Sequence, residues 1–207
     1  EDVVAQLGAD EVLSAGPPGE ASWTDSLMLP VQAASTWLNG AVSADLIVAD
    51  NGVQIGLNIQ NYKALSAAAI SLKRIDASNN LNNGIFAYSR GSITLDGFTA
   101  SNNYGNVYLA IDGSTASVTI KSSYPNGNTA HYSLGGNSSV LVVNNGTVNI
   151  TGVRASYGTA YGIEVTAGGG AVTITGLPNS GHAADGNALD GIRVVTIAPG
   201  IFMTPMA

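Results

Sequence analysis

Five copies of one short phrase constrain this chain more than any other feature. Ile70-Ser71-Leu72, Ile93-Thr94-Leu95, Val118-Thr119-Ile120, Val148-Asn149-Ile150 and Val172-Thr173-Ile174 begin 23, 25, 30 and 24 residues apart. With the first residue of each phrase as position zero, position five reads Ile75, Phe98, Ser123, Val153 and Leu177, and position eight reads Ser78, Ser101, Asn126, Ser156 and Ser180. Apolar residues at zero, two and five, with small or polar ones between, describe a strand and a bend, not a helical face. A second strand follows in most copies: Gly84-Ile85-Phe86-Ala87, Asn106-Val107-Tyr108-Leu109, Gly162-Ile163-Glu164-Val165 and Gly191-Ile192-Arg193-Val194, with Tyr132-Ser133-Leu134 the weakest member. The longest repeat carries an extra apolar run, Val140 to Val143, which reads as an enlarged side of its rung.

Strands that recur once per 23–30 residues cannot bury their inner faces alone, but stacked coil on coil they enclose one apolar column. Each coil advances the spacing of hydrogen-bonded strands, about 4.8 Å. About six rungs make a rod ~30 Å long. The stacking predicts amide ladders at Asn79/Asn102 and Asn80/Asn103, because stacked asparagines bond to each other and tolerate left-handed bends. At position three it aligns Lys73, Asp96 and Lys121 as alternating, solvent-facing charges.

The segment Gly84 to Asn103, with Gly-Ile-Phe-Ala-Tyr leading into Gly-Ser-Ile-Thr-Leu-Asp-Gly and then Ala-Ser-Asn-Asn, resembles the right-handed parallel β-helix repeat. Pectate-lyase-like enzymes share that repeat. The closer resemblance is to long, repetitive, adhesin-like surface proteins of bacteria, and it covers about residues 45–200. It implies an all-β, right-handed parallel β-helix, secretion to the outside or surface of the cell, and a structural or adhesive role. It supplies no catalytic motif. The tail from Gly191 to Met206 is similar to the strand and loop after the active site of short-chain dehydrogenases. That family's Tyr-x-x-x-Lys dyad is absent, and no glycine-rich phosphate loop follows a first strand near the start.

Composition excludes several other classes. Charged residues are 10% of the chain, against about 25% in ordinary soluble domains. The net charge of −7 makes it a poor ligand for nucleic-acid phosphates or anionic membranes. There is no cysteine and there are only two histidines, His131 and His182, so structural zinc and disulfide frameworks are not expected. No apolar run approaches the ~20 residues of a membrane span. Catalytic residues, metal ligands and cofactors are all expected to be absent.

Residues 1–44 lack the repeat and read as an irregular cap or linking segment, with residues 45–207 as the β-helix domain. Glu1 to Leu13 is expected to form a short helix, broken at Gly16-Pro17-Pro18-Gly19. The ends of a solenoid expose core and unpaired strand edges, which call for a cap or a neighbour. Residues 1–44 together with the apolar Ile201, Phe202 and Met203, where the last rung is expected to close, are therefore the expected contacts of a head-to-tail homo-oligomer or filament.

The alternative is a β-helix that binds or degrades polysaccharide. Its candidate residues are Asp76, Asp96, Asp112, Arg74 and Arg90. Asp76 and Asp96 fall at positions six and three of their rungs, so they are not expected to stack into one acidic cluster. Asp185 and Asp190 read as solvated loop carboxylates, and His131 as structural or exposed. Tyr88, Tyr104, Tyr108, Tyr124, Tyr132, Tyr157 and Tyr161 either stack on sugar rings or shield the sheet edges.

Overall fold

A computed structural model describes residues 40–196 apart from 53, 63–66, 114, 125–126, 177–183 and 185, together with the backbone of five short strands between residues 4 and 37. The early strands are β1 (Val4–Leu7), β2 (Glu11–Ser14), β3 (Glu20–Trp23), β4 (Leu27–Met28) and β5 (Ala34–Trp37). Next come β6 (Ala41–Val48), β7 (Leu57–Gln60), β8 (Ile70–Asp76), β9 (Asn83–Ser89), β10 (Ile93–Thr99) and β11 (Gly105–Ile111). The remainder are β12 (Val118–Lys121), β13 (Asn128–Thr129), β14 (Val140–Asn144), β15 (Val148–Thr151), β16 (Val153–Arg154), β17 (Ile163–Ala167), β18 (Val172–Thr175) and β19 (Ile192–Thr196).

Two parallel sheets run the length of a β-solenoid. The first is ordered β18-β15-β12-β10-β8-β6-β3, with β4, β13 and β16 as short continuations, and the second β19-β17-β14-β11-β9-β7-β5. The chain alternates between them, so each coil lies on the one before. The register is that of the sequence phrase: Ile93 pairs with Ile70 and Val118, Val148 with Val118 and Val172. The second strands stack likewise, Ile85 on Leu57, Val107 on Ile85, and Ile192 on Ile163. Inward side chains from both sheets meet in one column, in which Leu72, Ile85, Ile93, Leu95, Leu109 and Ile163 have no accessible surface. Burying each such side chain is worth ~1.5–3 kcal/mol, which is what holds coil to coil in the absence of disulfides.

The solenoid also begins earlier than the phrase does. Val42 and Ala44 pair with Ile70 and Leu72, so β6 supplies another anchor, and it spans the expected division between residues 44 and 45. Upstream, β3 pairs in parallel with β6 and β5 with β7. The helix expected over Glu1 to Leu13 is instead an antiparallel hairpin of β1 and β2. Its strand β1 lies beside β5, the last strand of the second sheet. Ile201, Phe202 and Met203 lie outside the described residues. The dehydrogenase-like tail enters the solenoid through β19, which pairs in parallel with β17.

One coil departs from the expected register. Position five of the Val118 coil is Asn128, paired between Phe98 and Val153, and not Ser123. Five more residues lie between Lys121 and Asn128 than between the same positions of the neighbouring coils, and this insertion accounts for the 30-residue repeat. Position eight moves likewise from Asn126 to His131, whose carbonyl accepts the Asn102 N–H. Val140 to Val143 is therefore not an enlargement but the second-sheet strand β14 itself, and Tyr132-Ser133-Leu134 is a turn.

Two bends repeat with the coils. In the first sheet, Leu46, Arg74, Gly97, Gly127 and Gly152 take left-handed φ values of 57°, 49°, 75°, 70° and 63°. At position nine, Asn51, Asn79, Asn102, Tyr132 and Tyr157 do the same at 54–60°. Asparagine carries this conformation at little cost, but tyrosine does not. The expected amide ladders are present: Asn102 Nδ2 donates to Asn79 Oδ1 at 3.2 Å and Asn80 Nδ2 to Asn103 Oδ1 at 3.0 Å. The second pair is buried and also bonds the backbone carbonyls of Ala49 and Ala77.

Candidate functional site

The insertion at residues 122–127 gives the outer face of the first sheet its relief. Asn128, fully buried in a column otherwise apolar, pins the base of the insertion. Its Oδ1 accepts the Gly97 and Phe98 N–H groups at 3.1 and 3.2 Å, and its Nδ2 donates to the Lys121 and Thr151 carbonyls at 3.0 and 3.3 Å. Held this way, the loop lays the Tyr124 ring across Gly97, where a Cβ would stand 2.5 Å from the ring. Glycine at 97 thus serves both the left-handed bend and the close approach.

Beside the ring is a groove of about 340 Å³ lined by Arg74, Ile75, Asp76, Gly97, Phe98, Thr99, Tyr124 and Gly127. The Arg74 guanidinium lies 5.7 Å from the Tyr124 ring centroid. It also grips Asp45 of the preceding coil with two hydrogen bonds of 2.6 Å. That bidentate pair holds the Asp45 carboxyl below the usual carboxylate range. Burial pushes the Asp76 carboxyl up, and the nearby Asp50 carboxylate adds to the shift. Ser78 links these two acids: its hydroxyl donates to Asp76 at 3.1 Å while its N–H donates to Asp50.

Of the five residues weighed for catalysis, only Arg74 and Asp76 come together here. Asp96 lies in the position-three column Asp45–Lys73–Asp96–Lys121. It is not solvent-facing as expected but buried, accepting the Ser123 N–H at 2.8 Å with the Lys121 ammonium at 3.4 Å. It anchors the insertion. Asp112, just after β11, accepts the Tyr88 hydroxyl at 3.2 Å, and Arg90 sits in the turn after β9. Among the described residues, no three of His, Cys, Asp and Glu converge as metal ligands do. Asp185 and His182 lie outside the described residues, and Asp190 is exposed. Tyr124, one of seven tyrosines weighed for sugar stacking, lines the groove, whereas Asp45 and Asp50, which hold Arg74 and Ser78 beside it, carried no sequence signal that singled them out. Asp45 was legible in principle, three residues after Val42, had Ala44 been accepted in place of a larger apolar residue.

His131 belongs to a different ladder. At position eight each coil's N–H donates to the side chain of the coil before: Ser101 to Ser78 Oγ at 3.2 Å, His131 to Ser101 Oγ at 3.3 Å, and Ser156 to His131 Nδ1 at 3.3 Å. Burial, with the Arg154 charge second, lowers the His131 pKa, as suits an imidazole that must stay neutral to accept that bond.

The fold and this groove define an acidic, parallel β-solenoid with a lateral cleft on its first sheet. No family model matches the chain, and neither a curated protein nor a solved structure is significantly similar to it.

Proposed function

We propose that this chain is an extracellular structural or adhesive module, a β-solenoid that assembles end to end into a filament or surface fibre. The observation that carries this reading is the exposed apolar column at the last described coil, β18 and β19. Ile192 and Val194 are 42% and 45% exposed, whereas Ile163 and Val165, one coil inward on the same columns, have no exposure. An open parallel edge with its apolar column showing is a template for another coil. The chemistry of the surface agrees with a scaffold: outward positions on the first sheet carry Ser71, Thr94, Thr119, Asn149 and Thr173, side chains that present a short polar face and little reactive chemistry.

Electron microscopy and small-angle scattering of the purified chain test the reading. Rods should lengthen with concentration, and Ile192→Lys with Val194→Lys should hold them at single length, since a buried charge has no partner in the joint. Wild-type rods of one length at every concentration overturn it. Immunogold labelling of intact producing cells tests the location, and label confined to the cell interior counts against an outside role. A second reading, polysaccharide binding or cleavage, draws on the groove beside Tyr124, where an aromatic ring, an arginine and a carboxyl with a raised pKa lie together. Turnover of acidic polysaccharides, with or without calcium, would favour it over the scaffold.

A further inference from the structure

Eight large apolar side chains stand well out into solvent among the described residues, and two of them belong to the last described coil. The other six, Leu81, Tyr104, Tyr132, Leu134, Tyr157 and Leu189, all lie in one place: the turn that leads from the first sheet to the second. Stacked over successive coils, they form a single strip along one side of the rod. From position nine to the start of each second-sheet strand, the only charged residue described is Asp190, near the end of the strip. Apart from Gln54, Ile55 and Tyr161, the rest of the described strip is asparagine, serine, threonine, glycine and alanine. Tyrosine set among serine, glycine and asparagine is the composition of adaptable contact surfaces.

We propose that this strip is where two copies of the chain lie side by side, antiparallel, as a two-fold pair. Three observations point to a second copy. First, the tyrosine rings each have a face taken up within the strip. Tyr132 and Tyr157 stack on each other with centroids 5.3 Å apart and planes 15° from parallel, and Tyr157 also lies against Gly186. The Tyr104 ring sits on the bare α-carbon of Gly135. A sugar platform needs an open ring face, whereas edges bury well against another protein surface. Secondly, the chain's net charge of −7 repels a second copy from most directions, and this strip is where two copies meet without apposed charges. Thirdly, the strip has the period of the coils, so knobs on one copy fall between knobs on the other. The antiparallel sense places each Asp190 against the opposite, uncharged end of its partner; a parallel pair would set the two carboxylates together. The two tyrosines held in a left-handed backbone conformation fit a surface kept for contact and not for stability. The contact is lateral and does not depend on the end-to-end reading.

Sedimentation equilibrium with small-angle scattering tests it. In the Ile192→Lys, Val194→Lys chain, which cannot grow end to end, the mass should move with concentration from about 20.9 kDa toward twice that value, and the cross-section of the rod should thicken. Leu81→Lys with Leu134→Lys, at sites 72% and 62% exposed, should weaken the pairing roughly tenfold or more while leaving the melting temperature in place. Ile192→Lys with Val194→Lys should leave the thickened pair intact, which separates this proposal from end-to-end growth. A wild-type cross-section of one rod at all concentrations overturns it. So does pairing indifferent to the leucine substitutions, or a single-rod chain retained on a neutral glucan and released by those substitutions.

Discussion

Replacing Asn128 tests whether a single buried amide holds the lateral insertion to the rod. Asn128→Ala removes an acceptor for the Gly97 and Phe98 N–H groups and a donor to the Lys121 and Thr151 carbonyls. At a net ~1 kcal/mol per hydrogen bond the loss is about 4 kcal/mol, and more where water cannot reach the freed groups. For a chain of this length that corresponds to a fall in melting temperature of roughly 10 °C. Asn128→Val is the informative companion, because Val153 occupies the same column one coil on. If the site needs only volume, valine restores stability; if it needs the four bonds, valine does little better than alanine. Thermal unfolding followed by circular dichroism measures the change. Hydrogen exchange at the Gly97 and Phe98 amides locates it, since those two should lose protection before the amides of β15. A stability loss under ~1 kcal/mol in the alanine variant, with both amides still protected, refutes the reasoning.

Three further perturbations follow from the same structure. Asp76 holds its proton more tightly in the fold than unfolded, so the stability it contributes is complete below its ordinary value of 3.8 and is lost as pH rises through its higher folded value. Asp76→Asn should therefore raise the melting temperature at pH 7 and leave it unchanged at pH 3; equal shifts at both would count against the buried-carboxyl account. His131 has the opposite sign: its neutral form is favoured by the fold, so its contribution is complete above 6.5 and is lost as pH falls through the depressed folded value. His131→Ser, the residue found at this position in three other coils, should flatten that loss in a melting-temperature series from pH 7.5 to pH 5. Ile150→Ala, in the middle of the sealed column, should cost ~2–5 kcal/mol in urea unfolding, and a loss below 1 would mean that the coils repack around the cavity.

Much of the architecture was legible because a solenoid writes its contacts into the chain at a fixed period. The anchors at Ile70, Ile93, Val118, Val148 and Val172, the second strands, and the asparagine pairs all follow from like residues stacking on like. The misreadings share one cause, which is that a period cannot see an insertion. Five extra residues between Lys121 and Asn128 displaced positions five and eight, so that Ser123 and Asn126 stood where Asn128 and His131 belong. The same displacement made β14 look like an addition. At the start, Ala44 fills an anchor column where a larger residue was sought, and Ala21 stands in register with Val42, so two coils stayed hidden in the sequence. Glu1 to Leu13 alternates too weakly to separate a short helix from a hairpin, and neighbouring strands decided the matter. The groove was the least legible part. Tyr124 reaches it through the insertion, and Asp45 and Asp50, which bond Arg74 and Ser78 beside it, come from a coil the phrase did not reveal.

Because each strand of the two sheets pairs with its counterparts in the neighbouring coils, and the insertion before Asn128 leaves that pairing in place, the length of the rod is a free variable of the gene. Duplicating Ile70 to Ser92, one turn of the solenoid, should insert a working storey between two existing ones without altering either. A protein built this way is a ruler, and its graduations can be added or struck out one at a time.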